Sequence, residues 1–204
     1  MLNVGLTGGI ASGKSTVARM LVEKGALLID LDELAHEVEA PEGDVWRKIV
    51  DHFGEGVLSA DRTIDRRKLG AIVFADPSQL RLLNELVHPA VFEAWQGRLR
   101  ELRQASPEAI VLSAIPLLIE SGMKQMVDLV LLVYLPLEKQ IARLMQRNGY
   151  SRQEAEERVA AQMAIEDKMP HADIIIHNDG SEEETARALT GIWEELKKRE
   201  KEAR

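Results

Sequence analysis

A glycine-rich segment near the start of the chain limits what the rest can fold into. Residues Gly8 to Ser15 read Gly-Gly-Ile-Ala-Ser-Gly-Lys-Ser, which has the spacing G-x-x-x-x-G-K-[ST]. A short apolar run, Leu2 to Thr7, precedes them, and an amphipathic stretch, Thr16 to Glu23, follows. A strand, a tight turn and a helix start in this order aim several backbone N–H groups at one anion. The segment therefore predicts a nucleoside triphosphate site, and the alternative is a glycine-rich turn before an ordinary helix.

Each residue type in this phosphate loop has a physical role. The glycines Gly8, Gly9 and Gly13 allow a tight turn and a close approach of the backbone to phosphate. We expect Lys14 to reach the outer phosphates and the Ser15 hydroxyl to bind Mg²⁺. The predicted nucleotide contacts in the loop are Gly8, Gly9, Ala11, Ser12, Gly13, Lys14, Ser15 and Thr16.

Composition narrows the class of protein. With 204 residues, 45% of them hydrophobic, the chain can bury one substantial α/β core. It contains no cysteine, so disulfides, thiolate metal sites and cysteine nucleophiles are excluded. A net charge of −8 disfavours long nucleic acid as a partner. The start lacks a basic leader, and no apolar run is long enough to span a bilayer. We expect a cytoplasmic monomer or weak homo-oligomer that acts on a small molecule, without nucleic acid or membrane.

Short, continuously apolar runs alternate with helical patterns. Such runs indicate strands that are covered on both faces, as in a parallel sheet. The predicted helices, at 15–24, 137–147 and 181–198, complete a doubly wound α/β fold. The predicted strands are Leu2–Thr7, Ala26–Asp30, Ala109–Ser113, Leu129–Leu135 and Asp173–His177.

Two intervals are too long for simple crossovers. Residues 33–108 have helical spacing and predict a helical insertion, and residues 147–171 predict a lid. The core then comprises residues 1–32, 109–146 and 172–204 of one domain. In the lid, Ser151 and Glu154 have capping-box spacing. The lid carries four basic residues, which favour phosphate contact over a merely exposed helix face: Arg147, Arg152, Arg158 and Lys168.

Two aspartates lie at the end of the second predicted strand. Asp30 and Asp32 flank Leu31, and the carboxyl ends of parallel strands face the ligand crevice. Asp32 also has the pattern of an N-cap for a helix over 33–38. One possibility is that the two carboxylates only cap the helix and face solvent. The other is that one of them accepts the proton of an attacking hydroxyl or holds Mg²⁺ through water.

Further motifs extend over nearly the whole chain. They are Asp65-Arg66 with Leu69 and Phe74, His88-Pro89, Pro116 to Glu120, Gln140 with Arg143 and Arg147, and Gln162, Lys168, Ala172-Asp173 and Asn178. Together with the phosphate loop and Asp30-Leu31-Asp32, they resemble the dephospho-CoA kinase family. The resemblance implies a three-layer P-loop kinase fold with a five-stranded parallel sheet, a helical acceptor-binding insertion and a helical lid. It also implies ATP-dependent phosphorylation of the ribose 3′-hydroxyl of dephospho-CoA, the last step of coenzyme A synthesis, with ATP and Mg²⁺ as the required small molecules.

The resemblance also suggests roles for individual residues. It makes Asp32 the general base and gives Lys14, Arg143 and Arg147 to the ATP phosphates. It places the acceptor-side motifs at Arg66, His88 and Leu118 to Glu120, although a His-Pro pair can also shape a helix start. Asn178 is expected at the adenine edge, with a turn over 178–180 as an equal alternative.

One position departs from the family pattern. Ala114 stands where the family usually carries an acid, so no carboxylate ends the third strand. Magnesium is then expected to depend on Ser15, the phosphates and water. Two rival functions are another small-molecule kinase of this architecture and a nucleotide-dependent switch, and the chain lacks the Asn-Lys-x-Asp motif expected of the latter.

Overall fold

A five-stranded parallel sheet lies at the centre of the fold, as predicted. The structure is a computed structural model that describes residues 1–202, so the last two residues of the predicted core segment, 203 and 204, lie outside the described residues. The strand order is β2-β3-β1-β4-β5. The strands are β1 (Leu2–Gly8), β2 (Leu27–Asp30), β3 (Ile110–Ala114), β4 (Leu129–Tyr134) and β5 (Ile174–His177).

Helices connect the strands and fill the two long intervals. Their bounds are α1 (Lys14–Glu23), α2 (Leu31–Val38), α3 (Asp44–Phe53), α4 (Arg66–Ala75), α5 (Pro77–Ala105), α6 (Leu137–Asn148), α7 (Arg152–Ala160), α8 (Ile165–Lys168) and α9 (Glu182–Glu202). None of the helices in residues 1–202 has both the length and the apolar composition that crossing a membrane requires.

The strand order puts the phosphate loop at the middle of the sheet. Strand β1 pairs in parallel with β3 on one side and with β4 on the other. Ligands of open α/β sheets bind at the carboxyl ends of the strands around such a switch point. One face of the sheet packs on α1 and α9 through buried side chains that include Leu6, Leu21, Leu131 and Leu189. This core fixes the end of β1 and the start of α1, the two supports of the loop.

The chain divides into two compact units. One comprises Met1–Ile29 with the segment from Leu102 onward, and the other comprises Asp30–Glu101. The second unit contains α2, α3, α4 and most of α5, and it buries apolar side chains such as Trp46, Ile49 and Leu69. The segment predicted as a lid belongs to the first unit.

Two expectations about local structure are wrong. Asp30, not Asp32, is the N-cap of α2: its Oδ1 accepts the backbone N–H of Asp32 at 2.9 Å, so Asp32 lies in the first helical turn. An aspartate at the end of a strand can accept the N–H groups of the residues that follow it, and here the helix begins at Leu31, two residues earlier than the pattern indicated. His88-Pro89 does not start a helix, because both residues lie inside the 29-residue helix α5.

Candidate active site

The phosphate loop forms an open helix start. Helix α1 begins at Lys14, its N-cap Gly13 has φ 92° and ψ 23°, and no side chain caps it. The first N–H groups of a helix have no intrahelical acceptor and carry partial positive charge. Ala11 also has positive φ, 58°. The loop therefore presents uncapped backbone donors, as the sequence predicts for a phosphate site.

The loop glycines are closely surrounded by polar side chains. A Cβ atom on Gly9 would overlap Oε1 of Gln140, and one on Gly13 would overlap Nδ2 of Asn178. Gln140 is buried and anchored, since its Nε2 donates to the carbonyl of Leu135 at 2.7 Å. Glycine at positions 9 and 13 is thus required by close packing, and at Gly13 also by the left-handed backbone.

The side chains expected to bind phosphate and metal differ in their surroundings. Within residues 1–202, Nζ of Lys14 has no hydrogen bond or ion pair, so its charge is available to a ligand. Ser15 and Thr16, in the first turn of α1, are exposed and half-buried, respectively. The hydroxyl of Ser12 is buried and has no hydrogen-bond partner in the described part of the chain.

Arg143 and Asn178 converge on one carbonyl of the loop. Nδ2 of Asn178 donates to the carbonyl of Ser12 at 2.7 Å, and Nη1 of Arg143 lies 3.4 Å from the same oxygen. Nη2 of Arg143 donates to the backbone carbonyl of Asn178 at 2.8 Å. The structure therefore brings both predicted nucleotide contacts to the loop, where each bonds to protein.

Helix α7, in the segment predicted as a lid, shares an apolar cluster with α6 and the loop. Ala155 of α7 is buried in a cluster with Ile141 and Leu144 of α6, and the loop residues Ile10 and Ala11 pack against that cluster. The predicted capping box of α7 is present. Beyond α7, Oε1 of Gln162 accepts the backbone N–H of Ile10 at 2.9 Å. The lid thus contacts the loop through apolar side chains and one hydrogen bond.

The basic residues of the lid are mostly engaged with neighbours. Arg152 forms ion pairs with Glu138 and Glu156, and the guanidinium of Arg158 stacks 3.9 Å from the ring centroid of Tyr150. Arg147 is exposed and bonds only to the adjacent Asn148 among the described residues. Arg147 is therefore the least restrained of these three arginines, while Arg152 and Arg158 are held by contacts within the segment and with α6.

Lys168 and Glu120 form an ion pair in which the lysine is fully buried and the glutamate is partly exposed. Lys168 is fully buried, and its Nζ lies 2.7 Å from Oε1 of Glu120, which also accepts the N–H of Met163. Leu118 is fully buried too, with its Cδ2 against Gly5 of β1. Glu120 thus connects the segment after β3 to residues 163 and 168, and Leu118 packs the same segment against β1.

The candidate acceptor residues in the unit Asp30–Glu101 are exposed. Asp32, in the first turn of α2, His88, within α5, and Arg66, at the start of α4, all lie at the surface of this unit. Nη2 of Arg66 bonds to Oε2 of Glu39 at 2.6 Å. Burial raises the pKa of Glu39, and the positive charge of Arg66 opposes that rise. These side chains present charge and an imidazole to solvent.

Few side chains near the loop could hold a metal ion. No cluster of three or more histidine, aspartate or glutamate side chains able to hold a metal occurs within residues 1–202. Ala114 ends β3 and is buried. Ser15 fits a Mg²⁺ ion of the kind that keeps several waters and binds substrate phosphates rather than an all-protein cage.

Sequence reasoning missed several supports of the loop. Gln140 and Gln162 enter the sequence analysis only through the resemblance, and Thr185 does not enter it. Thr185 is buried on α9 and donates to Oδ1 of Asn178 at 2.9 Å. A buried polar residue in an amphipathic helix is the signal that could have singled it out.

Known proteins match this chain over most of its length. The family model for dephospho-CoA kinase matches residues 2–184. A dephospho-CoA kinase of Syntrophus aciditrophicus is 57% identical over 201 residues, which cover 98% of this chain and 86% of the relative. The crystal structure of TT1252 from Thermus thermophilus superposes with a TM-score of 0.81 at 38% identity, covering 96% of this chain and 97% of that one. Dephospho-CoA kinase from Campylobacter jejuni gives a TM-score of 0.73 at 28% identity, with 96% and 97% covered. The chain therefore belongs to the dephospho-CoA kinase family.

Proposed function

We propose that this chain transfers the γ-phosphoryl group of ATP to the ribose 3′-hydroxyl of dephospho-CoA, giving coenzyme A and ADP. The observation that carries the proposal is the match to the dephospho-CoA kinase family over residues 2–184, together with an uncapped phosphate loop. Family membership favours this activity over another small-molecule kinase and over a nucleotide switch. The proposed setting is cytoplasmic, with the chain a monomer or weak homo-oligomer that binds neither nucleic acid nor membrane.

Phosphoryl transfer leaves the protein mainly with positioning and charge neutralisation. The uncapped N–H groups at the start of α1 and the free ammonium of Lys14 hold the β- and γ-phosphates. Arg143, already at the loop, and Arg147, unrestrained by other elements, add positive charge when ATP is bound. Lid residues packed on Ile10 and Ala11 keep water from the γ-phosphate.

Mg²⁺ would be held by the Ser15 hydroxyl, with the remaining ligands from phosphate oxygens and water. When bound, the ion neutralises charge on the phosphates. The residues of this chain then need only orient the triphosphate and remove the hydroxyl proton.

Asp32 accepts the proton of the attacking 3′-hydroxyl. The side chain of Asp32 is exposed in the first turn of α2, so its carboxylate is accessible to a substrate hydroxyl. Arg66 and His88 bind the acceptor's polar groups, and the segment Leu118–Glu120 shapes the acceptor side through its backbone. Asn178 lies beside the nucleotide.

The test is ADP release from ATP and Mg²⁺ with dephospho-CoA, AMP, shikimate or no acceptor. We expect stimulation by dephospho-CoA alone. Stimulation by AMP or shikimate instead would favour a different small-molecule kinase, and acceptor-independent release would favour a hydrolytic switch. The variant Lys14→Ala should lose activity with every acceptor, since it removes a ligand of the donor.

A further inference from the structure

Both ends of the side-chain amide of Asn178 form hydrogen bonds within the protein. The residue directly follows β5 and is 7% exposed. Its Nδ2 donates to the carbonyl of Ser12 at 2.7 Å, and its Oδ1 accepts from Oγ1 of Thr185 at 2.9 Å. The amide orientation is determined, because a backbone carbonyl can only accept and must face the NH₂ end. The side chain therefore joins α9 to the phosphate loop.

The carbonyl that Asn178 holds belongs to the peptide between Ser12 and Gly13. A trans peptide is planar, and its C=O and N–H point in opposite directions. A bond that fixes the Ser12 carbonyl therefore also fixes the direction of the Gly13 N–H. That N–H belongs to the loop that receives phosphate. Asn178 therefore orients an N–H group that donates a hydrogen bond to phosphate, although Asn178 itself does not contact the phosphate.

The surroundings reinforce this restraint. Nη1 of Arg143 lies 3.4 Å from the same Ser12 oxygen, and its Nη2 donates to the backbone carbonyl of Asn178. Gly13 lies so close to Nδ2 of Asn178 that any side chain at position 13 would displace it. Thr185 is 2% exposed, so its hydroxyl has little access to water and donates its hydrogen bond to an acceptor within the protein.

We propose that Asn178 and Thr185 are positioning residues that fix the Ser12–Gly13 peptide for triphosphate binding, and that Asn178 does not select the nucleotide base. The proposal rests on the proposed function only in that the loop binds a triphosphate. Its ligand chemistry is the triphosphate group itself, whatever base is attached. A side chain that reads adenine would instead discriminate between bases.

The experiment measures binding directly by calorimetry, with ATP, GTP and inorganic tripolyphosphate as probes in the presence of Mg²⁺. The variants are Asn178→Asp, which puts an acceptor in place of Nδ2, and Thr185→Val, which removes the hydroxyl at nearly constant shape. Thr185→Ser keeps the hydroxyl. Thr190→Val is the matched control, because Thr190 is an exposed threonine one turn further along α9.

We expect Asn178→Asp to weaken all three ligands by a similar factor of about tenfold or more, as for a lost buried hydrogen bond. Thr185→Val should weaken all three several-fold, while Thr185→Ser and Thr190→Val should stay near the unaltered protein. In steady-state kinetics KM for ATP should rise and KM for the acceptor should not. If Asn178→Asp does not fold, the comparison of Thr185→Val with Thr185→Ser provides the same test.

Two results would overturn the proposal alone. One is a changed ATP-to-GTP preference in Asn178→Asp with tripolyphosphate binding intact, which would make Asn178 a base reader. The other is unchanged affinity in both Asn178→Asp and Thr185→Val. If the unaltered chain bound no triphosphate at all, the phosphate-loop assignment would fall first and the positioning role with it. Binding without dephospho-CoA phosphorylation would contradict only the proposed function.

Discussion

The phosphate loop and the helical unit Asp30–Glu101 are held by hydrogen bonds of very different reach. The loop is fixed by side chains far along the chain: Asn178, Gln162 and Arg143 contact it across 166, 152 and 131 residues. In the helical unit, Asp65 and Asp76 bind N–H groups two or three residues away. The loop thus depends on distant parts of the first unit, whereas the starts of α4 and α5 are capped by the aspartates directly before them.

The exposure of the candidate residues follows the same division. Around the loop, Asn178 and Gln140 are buried, and their hydrogen bonds to backbone carbonyls hold them in place. In the helical unit, Asp32, Arg66 and His88 are exposed, so they can change rotamer to meet an acceptor. Substitutions near the loop should therefore affect stability and ATP binding together, and those in the helical unit should affect turnover or local stability separately.

The largest effect is expected at the ion pair of the fully buried Lys168 with Glu120. Lys168→Met leaves Glu120 without its cationic partner and should lower the free energy of unfolding by about 3 kcal/mol. Lys198→Met, in the exposed pair with Glu202, should change it by less than about 0.5 kcal/mol. Urea unfolding measures both. Adding Glu120→Gln to Lys168→Met should recover part of the lost stability. If Lys168→Met lost no more stability than Lys198→Met, the difference between the buried and the exposed ion pair would be contradicted.

Asp32→Asn should lower turnover by about a hundredfold, as loss of a positioned base does, while ATP affinity and stability stay close to normal. Asp30→Asn is the matched control, because asparagine can replace aspartate as the N-cap of α2. Steady-state kinetics and ATP calorimetry on the two variants distinguish the roles. Near-normal turnover in Asp32→Asn would remove Asp32 from the mechanism.

Gly13→Ala and Gly149→Ala compare a crowded left-handed glycine with an open one. Both backbones have positive φ, 92° and 70°, so each alanine should cost about 1–2 kcal/mol of stability. Only at Gly13 does the added Cβ overlap Asn178, whereas nothing lies within 4 Å at Gly149. ATP affinity should therefore fall in Gly13→Ala alone. Equal ATP affinity in the two variants would show that the packing of Asn178 against Gly13 does not affect ATP binding.

The smallest effect concerns a local cap. The N–H of Lys68 lowers the pKa of Asp65, so this carboxylate stabilises the native state above its unfolded pKa of about 3.9 and loses that effect as the pH falls through its native value. Asp65→Asn should keep the cap and flatten this part of the acid profile. Urea midpoints between about pH 5 and pH 2.5 provide the measurement, and identical acid profiles would exclude the linkage.

The same difference in reach explains what the sequence could predict. The strands, the glycine-rich turn with the start of α1, and the capping box at Ser151 are encoded by residues close together in the sequence, and the structure confirms them. The N-cap at Asp30 was misplaced by two residues because two aspartates offered almost equal local patterns. The bond of Thr185 to Asn178 depends on α9 packing beside the loop, which no short-range pattern encodes.

The helix interior at His88-Pro89 was missed for a related reason. Proline removes an N–H and usually ends a helix, so the local pattern favoured a boundary. The residues on either side, including the buried Val87 and Val91, continue helix α5 through it. Here tertiary packing outweighs a local preference.

The most direct test of the account follows the phosphate itself. The chain is incubated with dephospho-CoA, Mg²⁺ and ATP labelled in the γ-phosphate, and the product is located by ³¹P NMR and mass spectrometry. The account predicts that the label appears on the 3′-oxygen of the ribose in coenzyme A, and that Lys14→Ala and Asp32→Asn lose this product. Label found only in inorganic phosphate, or on another hydroxyl, would contradict it.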